Sequence, residues 1–165
     1  MRPSALTHDA FLVRFGAVYE DSPWVAEGVW PAVERGELDE LPALAEAMRA
    51  AVDDAPHEAQ LALIRAHPQL AVASDMAEAS VSEQRGAGLD RCAPDELAAF
   101  QRLNLEYLAR FGHPFIIAVA GLSRDDILTA FTERLNADPA AEFATAIAQI
   151  HRIAGFRLAA LFASE

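Results

Sequence analysis

Leu63-Ile64-Arg65-Ala66-His67-Pro68, followed after a short gap by Ser80-Val81-Ser82-Glu83-Gln84 and running on to Asp90, decides how this chain is organised. Pro68 disfavours helical geometry at the residue before it, so a helix carrying Leu61 and Ile64 ends at His67. Residues 69–79 contain no arginine or lysine and few strong strand formers, and read as a loop. Ser80-x-x-Glu83 has the spacing of a capping box and predicts the start of a second helix. The stretch is therefore helix, loop, helix. It sets a histidine with a near-neutral reference pKa one short element away from a carboxylate, which is proton-transfer chemistry in outline. A capped helix start would also expose backbone amides to which Ser80 and Gln84 add donors.

Working outward, the same signals recur along the chain. Thr7 predicts a cap for a first helix reaching about residue 19, and Ser22-Pro23 the cap and first residue of a second that Pro31 kinks or ends. A third helix is expected over 39–52, with Leu41, Leu44, Ala45 and Met48 on one face, and Pro56 opens the one that ends at His67. Gly86 and Gly88 weaken and close the Ser80 helix. Pro94 begins a longer helix that Gly112 and Pro114 terminate, Ser123 caps another to about residue 136, and Asp138-Pro139 starts the last, to about residue 162. The apolar run 113–121 fits either a buried extended segment or a helix. Alanine and leucine dominate, β-branched residues are sparse and no repeat or linker intervenes, so the expectation is an all-α, single-domain multi-helix bundle over 1–165.

Charge narrows the function. Twenty-five acidic residues face 13 basic ones, all of them arginine, for a net charge of -12. Nucleic acid and anionic lipid need a basic stripe that is absent, so neither nucleic acid nor membrane is expected as a partner. An anionic substrate would have to be held by a local arginine against the field of the whole protein. Cys92 is the only cysteine, which suits a reducing compartment. No basic segment leads into an apolar run at the N-terminus, no apolar stretch approaches about 18 residues, and Phe162-Ala163-Ser164-Glu165 is not a peroxisomal tripeptide. These features set the expectation of a soluble, cytoplasmic protein.

Arg157 is the residue hardest to reconcile with a purely structural reading. Phe143, Ile150 and Arg157 recur every seven residues beside Ala146, Ile147, Ala154, Leu158 and Leu161, which puts a charge on or near the apolar stripe of the last helix. It either snorkels or pairs with a structural carboxylate, or it holds a substrate carboxylate or imide oxygen by paired hydrogen bonds. Unpaired and facing a ligand, it would leave Arg157→Met as stable as the parent or more so; paired internally, the same change would strand its partner. His8, His57 and His151 lie among polar or charged residues and read as solvated, and His113 as a turn residue after the glycine cap. No pair of histidines has helical zinc spacing, and no phosphate loop, nucleophile elbow or Cys-x-x-Cys is present, so neither a metal nor a cofactor is expected.

Ile64-Arg65-Ala66-His67-Pro68-Gln69-Leu70-Ala71, Ser80-Val81-Ser82-Glu83-Gln84, Ala87-Gly88-Leu89-Asp90, Phe100-Gln101-Arg102-Leu103-Asn104 with Tyr107, Arg110-Phe111-Gly112-His113-Pro114-Phe115-Ile116-Ile117, and Arg152-Ile153-Ala154 with Arg157-Leu158 occur in one order and spacing. That pattern resembles the ureidoimidazoline (OHCU) decarboxylases of purine breakdown, over roughly 11–161. The resemblance implies an all-helical, usually dimeric enzyme without a cofactor. It would convert 2-oxo-4-hydroxy-4-carboxy-5-ureidoimidazoline, a small molecule from urate oxidation, to (S)-allantoin and carbon dioxide. It places the catalytic histidine on His67 and its carboxylate partner on Glu83. Pro68, Ser80, Val81, Ser82, Gln84, the backbone of Phe115, Ile116, Ile117, Ala118 and Val119, and Arg157 would bind substrate. Gln69 and Ala120 depart from the pattern, where many relatives carry an acidic and a basic residue; neither is a proposed catalytic position. Two rivals stand beside this reading: a metal-dependent hydrolase using His67, His113 and Glu83 or Asp90, and a catalytically silent helical binding module.

Overall fold

A computed structural model of the chain describes residues 2–72 and 76–164. The section of the expected loop at 73–75 lies outside the described residues. Among them the regular structure is entirely helical: α1 (His8–Phe15), α2 (Trp24–Glu34), α3 (Leu41–Asp53), α4 (His57–Ala66), α5 (Glu78–Gly86), α6 (Pro94–Phe111), α7 (Arg124–Arg134) and α8 (Pro139–Ala163). Two 3₁₀ turns, Pro3–Ala5 and Leu89–Arg91, accompany them. The chain divides into two compact units, one from the described residues of Met1–Ala66 and His151–Glu165 and the other from His67–Ile150.

Several borders follow the residues that predicted them. Thr7 accepts a hydrogen bond from Ala10 N–H at the start of α1, and Ser123 and Asp126 form a reciprocal capping box at the start of α7. Gly112 closes α6 in the left-handed region at φ 73°, which a residue with a Cβ enters only at a cost. Glu96 reaches back to the Ala93 N–H at the start of α6. The open choice over 113–121 resolves to non-helical chain: 114–119 runs without helix or bend, and no residue in it has a positive φ.

Other borders differ from expectation. α1 ends at Phe15, where the Gly16 N–H closes on Leu12, and a turn containing Asp21 at φ 43° leads to α2. Pro23, not Ser22, is the residue before α2. Pro31 lies inside α2 and neither ends it nor prevents the turn beyond it. It is exposed, so the carbonyl deprived of its N–H partner has solvent within reach. Most consequentially, α5 begins at Glu78, after Ala77. Ser80 and Glu83 are helix-interior residues and not a capping box. Residues three apart in a helix interior share a face, so box spacing and one-face spacing are the same string of letters.

The unit of His67–Ile150 is built around Phe100, Leu103, Tyr107, Phe115, Ile127 and Phe131, all fully or almost fully buried. Phe115 and Phe131 stack with centroids 3.9 Å apart and planes 7° from parallel, and Tyr107 meets each edge-on. In the other unit Phe11 packs on Phe15 and Trp30, and α2 and α3 bury Val25, Val29, Val33, Leu44, Met48 and Val52. Among the described residues no helix is long and apolar enough to cross a membrane.

Candidate functional site

Pro68 forces the chain out of α4, and His67 is left at that exit with only 7 % of its surface exposed. The next three residues are pinned by two amide side chains. Gln84 on α5 accepts from the Ala71 N–H at 3.0 Å and donates to the Gln69 carbonyl at 3.1 Å, and its amide also reaches the Met76 sulfur at 3.4 Å. Asn104 on α6 donates to the Leu70 carbonyl at 2.9 Å. Its own Oδ1 is buried with no hydrogen-bond partner among the described residues. Ala71 is held at φ 55°, a left-handed conformation that alanine seldom adopts without such restraints. Loop and α5 are thus fastened together beside the histidine.

Along α5, Ser80 and Gln84 are buried, Val81 and Glu83 are half-buried and Ser82 is exposed. The inward face of this helix therefore carries Ser80 and Gln84, one turn apart, with Glu83 at its margin. Gln84, which the resemblance assigns to substrate binding, has its carbonyl and amide engaged with the loop. A cleft of about 780 Å³ opens in this unit, bordered by Gln69, Val72, Met76, Val81, Gln84 and Asn104 among others. Of the expected binding residues only Val81 and Gln84 line it, and its walls are mostly apolar.

The segment 114–119 has a different character. Phe115, Ile116, Ala118 and Val119 are buried and Ile117 is half-buried. The Ile116 carbonyl accepts from Arg134 at 2.7 Å, the Ala118 N–H donates to Gln149 at 3.0 Å, and the Val119 carbonyl accepts from the Leu122 N–H. Among the described residues the Ile117 N–H and C=O have no hydrogen-bond partner. Ile117 is half-buried, and a peptide group that no other residue engages is one that a polar ligand or water can satisfy.

Neither Arg134 nor Glu142 was singled out by the sequence, and Tyr107 entered only through the resemblance. Glu142, 1 % exposed on α8, takes both Nε and Nη2 of Arg134, at 2.9 and 2.6 Å, and the Tyr107 hydroxyl donates to the same oxygen. Burial, and then the hydrogen bond to Glu142, pushes the Tyr107 hydroxyl far above its ordinary pKa, so it stays protonated and donating. Glu142 reads in sequence as a first-turn carboxylate on an exposed helix start; only its opposition to Arg134 eight residues earlier hinted otherwise. His113 is buried, with Nδ1 3.0 Å from the Pro114 carbonyl and its ring among Tyr107, Phe111 and Phe143.

Two residues of the other unit bear on the sequence reading, His151 as a correction and Arg157 as the internally paired alternative. His151 is not solvated: it lies between the Tyr19 hydroxyl and Asp53, 2.9 Å from each. Arg157 is not an unpaired charge. Its Nη1 is 2.8 Å from Glu20, and both side chains are nearly inaccessible, at 8 % and 2 %. The same nitrogen lies 3.4 Å from the carbonyls of Ala17 and Val18. Among the described residues no group of three or more His, Cys, Asp or Glu is arranged to hold a metal ion.

A profile of the family described as OHCU decarboxylase matches residues 4–159. A 2-oxo-4-hydroxy-4-carboxy-5-ureidoimidazoline decarboxylase of Haloferax volcanii is 43 % identical over 160 residues, covering 97 % of this chain and 94 % of that protein. One from Halalkalicoccus jeotgali is 40 % identical over 91 % of this chain and 84 % of its own. A crystal structure of an OHCU decarboxylase superposes with a TM-score of 0.76, covering 92 % of this chain and 99 % of that one at 24 % identity, which establishes the shared all-helical fold.

Proposed function

Since the chain belongs to the OHCU decarboxylase family, we propose that it decarboxylates 2-oxo-4-hydroxy-4-carboxy-5-ureidoimidazoline to (S)-allantoin in urate breakdown, with His67 and Glu83 as its proton-handling pair. The observation that carries the site is the buried His67, placed at a helix exit whose following loop is pinned to α5 by Gln84. In this reaction the bond from the ring carbon to its carboxylate breaks and carbon dioxide leaves. The electron pair moves toward the neighbouring ring imine, so the substrate is its own electron sink. The ring hydroxyl then gives up its proton and becomes the carbonyl of allantoin, while the adjacent carbon takes a proton from one face. His67, poised by Glu83, handles the hydroxyl proton or stabilises the charge that develops there.

Pro68, Ser80, Val81, Ser82, Gln84 and the backbone of 115–119 make up the proposed binding set. The unpartnered N–H and C=O of Ile117 support the last of these, since they match the donor and acceptor of a ureido or ring amide. Gln84 contributes chiefly by fixing the loop. Arg157 rests on the sequence resemblance alone. One domain, a homodimer and a cytoplasmic location complete the proposal; light scattering of the purified protein checks the dimer.

The test generates the substrate in place with urate oxidase and hydroxyisourate hydrolase and follows circular dichroism. The uncatalysed reaction gives racemic allantoin; this protein is expected to accelerate decay and leave a lasting signal of the S product. Racemic product at the uncatalysed rate refutes the proposal. Treatment with a chelator addresses the hydrolase alternative, because activity that survives removal of all metal is incompatible with it. Glu83→Gln is expected to lower the rate with little change in melting temperature, because Glu83 caps no helix. A large fall in melting temperature with full activity per folded molecule would assign Glu83 to structure instead.

A further inference from the structure

Arg134 and Gln149, we infer, are positioning residues for substrate binding: together they hold one edge of the 114–119 segment so that its other edge stays open. The inference rests on the proposed role of 115–119 in binding substrate. An extended chain presents the backbone groups of residues 116 and 118 on one edge and those of 117 on the other. Arg134 holds the Ile116 carbonyl at 2.7 Å and Gln149 holds the Ala118 N–H at 3.0 Å, which are the two residues of a single edge. Ile117, between them, is left without partners on the opposite edge. Two side chains thus occupy the place that a neighbouring strand takes in a sheet. The open edge is left for a planar amide of the kind a ureidoimidazoline carries.

Arg134 is itself held in place by Glu142 and the Phe115 ring. Glu142 takes two of its nitrogens, the Tyr107 hydroxyl bonds to the same carboxylate oxygen, and the guanidinium lies 4.3 Å from the Phe115 ring centroid. Its fork lets it bond carboxylate and carbonyl together, which a lysine ammonium cannot match in direction. Gln149 is half-buried on α8 and contributes one acceptor.

Gln149→Leu, Gln149→Glu and Arg134→Lys test this through KM, which does not depend on how much of the protein is folded. Loss of one positioning bond is expected to raise KM for the ureidoimidazoline roughly tenfold in Gln149→Leu and Arg134→Lys, with kcat within about threefold of the parent. Gln149→Glu keeps an acceptor for the Ala118 N–H and is expected to restore KM. A parent-like KM in both Gln149→Leu and Arg134→Lys, or a fall confined to kcat or to melting temperature, overturns the inference while leaving the proposed function standing. A parent protein that yields racemic allantoin overturns the function itself.

Discussion

His67→Asn is expected to slow decarboxylation by about 10²–10⁴-fold, the usual contribution of a general acid or base, without unfolding the protein. Asparagine remains polar in a site that is 7 % exposed, and the helix exit depends on Pro68, which is untouched. The loop beyond keeps its bonds to Gln84 and Asn104. The decisive readout is the initial rate of substrate loss per folded molecule, with folding followed by far-ultraviolet circular dichroism. Parent-like activity would remove His67 from the reaction.

Arg157→Met is expected to have the largest effect on stability. The pair with Glu20 is almost completely withdrawn from solvent, so removing the guanidinium leaves a buried carboxylate without that partner. Breaking such a pair costs about 3–5 kcal/mol. For a chain of this size that lowers the melting temperature on the order of 10 °C. Glu20→Gln with Arg157→Met in a double-mutant cycle separates the coupling from the loss of each side chain alone. A melting temperature equal to or above the parent's would show that the pair contributes nothing. Activity per folded molecule is a separate readout: if it survives in Arg157→Met, the proposed contact with substrate falls.

What the sequence made legible, and what it did not, follows from where each residue finds its partners. Gly112, Ser123 and Pro94 act through their own backbone or within three or four residues, and their helix borders are where the letters place them. Arg157 could be recognised as a charge on an apolar stripe, but not its answer, because Glu20 lies at the far end of the chain. The burial of His151 is hidden in the sequence for the same reason, with Tyr19 and Asp53 both remote along the chain. Ser80 and Glu83 illustrate an ambiguity of a different sort, since one spacing serves both a helix start and a helix face. The candidate site was recognisable chiefly through the order of several short motifs. The Arg134, Glu142 and Tyr107 cluster escaped because each member is unexceptional until the fold brings them together.

The left-handed conformation of Ala71 inverts the ordinary substitution ranking at one position. In most loops a change to isoleucine or valine is tolerated and glycine loosens the chain; at a φ of 55° a branched Cβ is the poorest fit and glycine the easiest, with asparagine between. In a saturation library screened for function, codon 71 should therefore be enriched for glycine and depleted of β-branched residues. That asymmetry would be invisible to any score built on hydrophobicity or size, and would register the shape of the backbone four residues beyond the histidine.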